Sequence, residues 1–120
     1  MDPFDFRLIE SNGMTLRLVS AGEGPLVIFC HGWPESWYSF RYQLPAFAEA
    51  GFRAVAYDVR GYGGSSKPWP VEAYTLKNLT ADVIGIIDGL DYDRAVVIGH
   101  DWGGPIALST AVLYPDRIRA

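Results

Sequence analysis

The chain predicts an α/β protein built on a mostly parallel, doubly wound sheet, and three stretches carry that prediction. Leu26-Val27-Ile28-Phe29-Cys30 is a continuous apolar run of strand length, the pattern of a strand covered on both faces. From that run onward, strand-like segments alternate with helical patterns, as parallel strands joined by crossover helices require. A third apolar run, Val96-Val97-Ile98, ends in Gly99-His100-Asp101-Trp102-Gly103-Gly104 and leads straight into a helical pattern. Strand should therefore pass to helix through one tight turn.

The elements follow in order. Phe6–Ser11 and Met14–Ala21 read as two strands joined by Asn12-Gly13, a strong hairpin signal because both residues tolerate positive φ. Gly22-Glu23-Gly24-Pro25 breaks the second strand ahead of the apolar run at Leu26. A helical stretch is expected from about Trp37 to Ala50, capped by Gly51, with Pro45 splitting or kinking it. Arg53–Tyr57 is the next strand. The glycine-rich Asp58–Ser66 and then Lys67-Pro68-Trp69-Pro70 form a long loop. Thr75 is placed to cap a helix reaching Leu90, whose apolar residues Leu76, Leu79, Val83, Ile86 and Ile87 recur at helical spacing. Arg94–Gly99 is the strand into the tight turn, and Pro105–Tyr114 the helix after it, stopped by Pro115.

Composition bounds the function. The 120 residues are 49% hydrophobic, enough for a real core. The net charge of −4, without a basic stripe, argues against a nucleic-acid partner. A single cysteine, Cys30, excludes an internal disulfide and sits in an apolar run, where a buried structural thiol is expected. No apolar run approaches the ~20 residues that span a bilayer, and no leader pattern opens the chain, so a soluble cytoplasmic protein is expected. The loop after Asp58 has glycines but neither Gly-Lys-Ser/Thr nor a G-x-G-x-x-G opening a helix. It reads as a tight structural loop and not as a phosphate cradle, and no cofactor is expected.

The turn at Gly99–Gly103 resembles the nucleophile elbow of the α/β-hydrolases, where G-x-S-x-G holds a serine on a strained strand-to-helix turn. Here the central position is Asp101. A carboxylate is ionised near neutral pH and attacks carbon without first losing a proton. Against sp³ carbon it opens an epoxide or expels a halide and leaves an alkyl ester for water to hydrolyse. The plainer alternative is that Asp101 caps the following helix. A second motif, His31-Gly32-Trp33-Pro34, ends another strand, and in open α/β sheets ligands collect at those strand ends. The backbone N–H groups of Trp33 and Trp102 are assigned as a pair of oxyanion donors, with the two indoles walling an apolar pocket. Core packing is the alternative for the indoles.

His31-Gly32-Trp33-Pro34-Glu35-Ser36-Trp37, Asp58-Val59-Arg60-Gly61-Tyr62-Gly63 and Gly99-His100-Asp101-Trp102-Gly103-Gly104 together resemble the soluble epoxide hydrolases of the α/β-hydrolase fold. The resemblance covers nearly all of the chain after Phe6. It implies Asp101 as nucleophile, a hydroxyalkyl ester hydrolysed by water, and a small apolar epoxide as substrate. It also implies a binding loop of His31, Trp33 and Pro34, with a cis Trp33–Pro34 bond aiming the Trp33 N–H into the site. Haloalkane dehalogenases also place Asp then Trp at the elbow and are the nearest alternative; a non-catalytic α/β module is the other.

The chain departs from the family pattern after Asp101. The superfamily order is nucleophile, acid, histidine, yet only one acidic residue, Asp116, and no histidine follow. His31 belongs to the binding loop, and the turn should carry His100 away from the site. None of Tyr38, Tyr57, Tyr62 or Tyr74 matches the cap tyrosines of the family. Residues 1–120 therefore read as the N-terminal part of a core domain that is incomplete after the elbow helix, with the next strand due at Ile118-Arg119-Ala120. Alone, the segment is expected to expose an apolar edge and not to turn over.

Overall fold

A computed structural model describes residues 4–120. Five strands form one sheet in the order β1-β2-β4-β3-β5. β1 (Asp5–Ser11) and β2 (Met14–Ala21) make the expected hairpin, with Ser11 opposite Met14 and positive φ at Asn12 and Gly13. β2 also pairs antiparallel with β4 (Arg53–Tyr57). β3 (Leu26–Cys30) runs parallel to β4 on one side and to β5 (Val96–Gly99) on the other.

The central strand shows why the run at Leu26 is apolar throughout. Leu26, Ile28 and Cys30 face one core cluster, Val27 and Phe29 the other, and all five are buried. The first cluster lies under α2 (Leu76–Gly89) and α3 (Gly103–Leu113), which supply Val83, Ile86, Ile87 and Ile106. The second lies under α1 (Gln43–Glu49), whose Leu44 is buried against β2 and β4. Helices thus cover both faces, and the sheet is doubly wound. Cys30 is buried and unpaired; burial pushes its thiol up to about 12, and the Tyr57 hydroxyl donates to its sulfur at 3.7 Å.

Several boundaries differ from the expectation, each for a local reason. The stretch around Pro45 is two pieces, a 3-10 turn at Trp37–Phe40 and then α1, with Pro45 in the first turn of α1, where its missing N–H costs nothing. A further 3-10 turn at Val71–Tyr74, which the sequence pattern does not predict, is closed by Ala73 N–H on the Pro70 carbonyl. β5 begins at Val96 and not Arg94, because its pairing with β3 starts with Val96 opposite Val27, while Ala95 makes only a bridge to Ile118 on the other side. α3 begins at Gly103 and not Pro105, since the Gly103 and Gly104 N–H groups already reach the His100 and Asp101 carbonyls. Leu76 is not a core residue; it is 47% exposed and borders a cleft.

On the outer edge of β5, Ile118 makes a parallel bridge with Ala95, and Val97 N–H donates to the Ala120 carbonyl at 3.0 Å. Residues 118–120 thus lie where the next strand is expected. On α3, Leu108, Val112 and Leu113 are exposed. Among the described residues no helix is long and apolar enough to cross a membrane.

Candidate active site

The parallel strands β3, β4 and β5 end side by side, and the segment leaving each one carries a motif: His31 after Cys30, Asp58 after Tyr57, His100-Asp101 after Gly99. Stretches far apart in sequence therefore meet at one edge of the sheet.

Asp101 sits at φ +57°, a left-handed conformation that few non-glycine residues adopt. Its neighbours permit the tight turn. A Cβ on Gly103 would lie 2.0 Å from the Cys30 carbonyl oxygen, so α3 can start this close to β3 only without one. Gly104 is different, because a Cβ there would meet nothing within 4 Å. That glycine in the motif has no steric reason.

The Asp101 carboxylate is exposed, and its Oδ2 accepts the Trp33 backbone N–H at 3.1 Å. The Trp102 backbone N–H bonds to the same carboxylate, and the two donors, Trp102 first, hold its pKa below the usual carboxylate range. The Asp101 side chain does not cap the helix, because the first N–H groups of α3 reach backbone carbonyls and α3 has no side-chain cap. The two assigned donors and the carboxylate between them are thus brought together. The Trp33–Pro34 bond is cis.

The loop that presents Trp33 is held from within. Glu35 Oε1 accepts the Gly32 N–H at 2.9 Å, the Glu35 N–H returns to the Gly32 carbonyl at 2.9 Å, and Ser39 Oγ donates to Glu35 Oε2 at 3.0 Å. Ser39, with lesser help from Gly32 and His100, keeps the Glu35 carboxyl below its ordinary range. Sequence reasoning assigns Glu35 no role within its motif; its spacing of three from Gly32, around a proline, is the available signal.

His31 is buried, with Nδ1 against the Gly32 carbonyl at 2.8 Å and Nε2 accepting the Val59 N–H at 2.9 Å. That pattern requires the neutral ring with its proton on Nδ1. Burial lowers its pKa against the opposing pull of Gly32, Asp58 and Glu35. Both nitrogens are engaged, so His31 has none left for a water. His100 is exposed and lies 3.4 Å from Glu35, in a second cleft lined by Phe40, Phe47 and Ile98, away from the one beside Trp102. Asp116 follows Tyr114 beyond the far end of the 11-residue α3.

A cleft of about 340 Å³ opens beside the elbow, lined by His31, Gly32, Val59, Arg60, Tyr62, Tyr74, Leu76, Leu79, Trp102, Pro105 and Ile106. Its walls are largely apolar. Trp102 lines it. Trp33 does not: its indole is 65% exposed, because the loop turns the Trp33 N–H inward and leaves the side chain outside. Pro34 is likewise exposed and absent from the lining. Core packing holds for neither indole, Trp102 being 66% exposed. Tyr62 is a wall that the motifs do not reveal; it stands edge-on to His31 at 4.9 Å, and burial and the nearby Asp101 charge raise its phenol pKa. No group of His, Cys, Asp and Glu among the described residues could hold a metal ion.

Comparison with known proteins agrees with this geometry. The chain is 49% identical over 116 residues to epoxide hydrolase A of Mycobacterium tuberculosis, covering 95% of this chain and 36% of that protein. It is 50% identical over 108 residues to bifunctional epoxide hydrolase 2 of Sus scrofa, covering 90% of this chain and 20% of that one. Among solved structures, an epoxide hydrolase from an endophytic Streptomyces superposes with a TM-score of 0.96 at 48% identity, over 98% of this chain and 36% of that one. An epoxide hydrolase from Vigna radiata gives 0.96 at 38% identity, over 98% and 38%. The chain therefore spans between a fifth and two fifths of the length of these relatives. The model of the alpha/beta hydrolase fold matches residues 25–120, and the chain belongs to that family.

Proposed function

We propose that residues 1–120 carry the nucleophile of an epoxide hydrolase and form the N-terminal part of its core domain. The observation that supports this most directly is the Asp101 carboxylate held at 3.1 Å by the Trp33 N–H beside an apolar cleft. The lowered pKa keeps Asp101 ionised at neutral pH. Its free oxygen attacks a ring carbon of the epoxide, the carbon–oxygen bond breaks, and the alkoxide takes a proton to leave a hydroxyalkyl ester. Water then adds to the ester carbonyl. The oxygen facing the Trp33 N–H takes the negative charge, with the Trp102 N–H beside the same group, and collapse releases the diol and restores the carboxylate. Trp102 walls the substrate side, and His31 and Pro34 belong to the loop that presents Trp33.

The second half needs a base to activate water, a contribution of about 10²–10⁴-fold. With His31 saturated, His100 turned to Glu35 and Asp116 beyond the far end of α3, we place the histidine, its acid and the cap tyrosines outside residues 1–120. The substrate class is a small apolar epoxide, with water as co-substrate; the buried thiol of Cys30 suits a reducing, cytoplasmic setting.

Incubating the chain with an aryl epoxide, and in parallel with a haloalkane, tests this by peptide mass spectrometry. An ester on Asp101 from the epoxide, persisting without continued diol release, is expected. Preferential alkylation by the haloalkane would replace the reading with dehalogenation. Sustained diol formation by residues 1–120 would show that no outside base is needed.

A further inference from the structure

The loop after β4 is used in none of these steps, yet its first two residues hold both ends of the Trp33 loop. The Asp58 carboxylate is fully buried. Its Oδ1 accepts the Trp37 N–H at 3.0 Å, and its Oδ2 accepts the Gly64 N–H at 2.8 Å and Arg17 Nε at 2.9 Å. The next residue, Val59, donates its N–H to His31 Nε2. Residues 31 and 37 are thus the fixed ends of a short span, and Trp33, whose N–H meets Asp101, lies between them. The loop itself is shaped around the carboxylate: at Gly63, with φ +50°, a Cβ would lie 2.2 Å from Asp58 Oδ2.

We infer that Asp58 is a positioning residue: by holding Trp37 it keeps the Trp33 N–H on the Asp101 carboxylate, and so serves hydrolysis of the ester more than its formation. This rests on the epoxide hydrolase reading. The asymmetry follows from where charge develops. Before alkylation the Trp33 N–H stabilises the ground-state carboxylate, so losing it does not slow attack. In ester hydrolysis the same N–H faces an oxyanion that exists only along the reaction, where a lost donor costs about 10²–10³-fold in rate. A donor displaced but not removed loses part of that.

The test uses Asp58→Asn in the full-length enzyme: its amide oxygen keeps the two donors, the Gly64 N–H and Arg17, and its nitrogen opposes the Trp37 N–H. Single-turnover measurements should show ester hydrolysis slowed about 10-fold or more, with alkylation little changed, so that the alkyl-enzyme accumulates. Gly63→Ala, which crowds the same carboxylate, should give the same split. Arg17→Gln, removing one partly exposed donor, should give a weaker version even if the first two fold poorly. An equal fall in both rates, tracking the folded fraction, would overturn the proposal.

A second readout is independent of activity. Carboxyl NMR should show the Asp101 titration midpoint rising toward the ordinary range in folded Asp58→Asn, because the Trp33 N–H withdraws. Electrostatics alone gives the opposite sign, since deleting a nearby negative charge lowers a carboxyl pKa. An unchanged or lowered midpoint therefore overturns the positioning role. Absence of diol formation by the wild-type enzyme would instead reject the epoxide hydrolase reading and leave the titration to decide on Asp58.

Discussion

A Cβ on Gly32 would stand 2.4 Å from the Asp101 Cβ, so the two loops at the sheet edge touch at the point where one of them has no side chain. This close approach lets the next residue, Trp33, reach the carboxylate with its N–H. The contact links a residue after β3 to one after β5, 69 positions later.

Gly32→Ala should therefore separate the loops. We expect a stability loss of about 1–3 kcal/mol, the usual cost of overpacking, measured by urea unfolding. The Asp101 carboxyl should titrate closer to its ordinary value in the folded variant. An unchanged titration in Gly32→Ala would mean that the Trp33 N–H does not depend on this contact.

Gly103 and Gly104 make a matched pair. Gly103→Ala sets a methyl 2.0 Å from a backbone oxygen that cannot swing away, and should yield little folded protein. Gly104→Ala meets open space near the start of α3, where replacing glycine favours the helix by about 0.5–1 kcal/mol. Thermal unfolding of the two variants should move in opposite directions.

Two pH-dependent losses of stability are expected. The His31 pKa is lowered in the fold, chiefly by burial, from an ordinary value of about 6.5. Its neutral form is favoured, so its contribution is present above about pH 6.5 and is lost as pH falls toward the folded value. Asp101 is also lowered, by the Trp102 and Trp33 N–H groups, from about 3.9. Its contribution is present above about pH 4 and disappears on further acidification. Urea midpoints followed across that range should show the first decline flattened in His31→Gln and the second in Asp101→Asn.

The buried ion pair beneath the cleft gives a fourth expectation. Arg60 donates from Nε and Nη2 to Asp82 at 2.9 and 2.7 Å, and Nη1 reaches the Ala73 carbonyl at 2.8 Å; both side chains are almost wholly buried. Asp82→Ala would leave a buried guanidinium unpaired, at a cost of about 3–5 kcal/mol. Replacing both partners with apolar residues should recover most of that loss in chemical unfolding.

The strands were legible because their signals are local. Leu26–Cys30 and Arg53–Tyr57 have the expected bounds, since every position after Arg53 at the start of the second strand is apolar, as a strand buried on both faces requires. The Asn12-Gly13 hairpin and the Thr75 cap, whose hydroxyl accepts the Asn78 N–H, likewise depend on neighbours in sequence. Asp101 was legible as a carboxylate in a frame of glycines. Other features depended on contacts between segments distant in the chain. The Trp33 indole lies outside the cleft because its backbone had to face Asp101. Leu76 borders the cleft from the first position of α2, just after the turn at Val71–Tyr74. His31 is closed to chemistry by a backbone N–H from Val59. The residue types at single positions determined which groups were available; the packing of three strand ends decided which of them meet, because a donor from a distant segment, such as the Val59 N–H on His31, carries no mark in the motif that it closes.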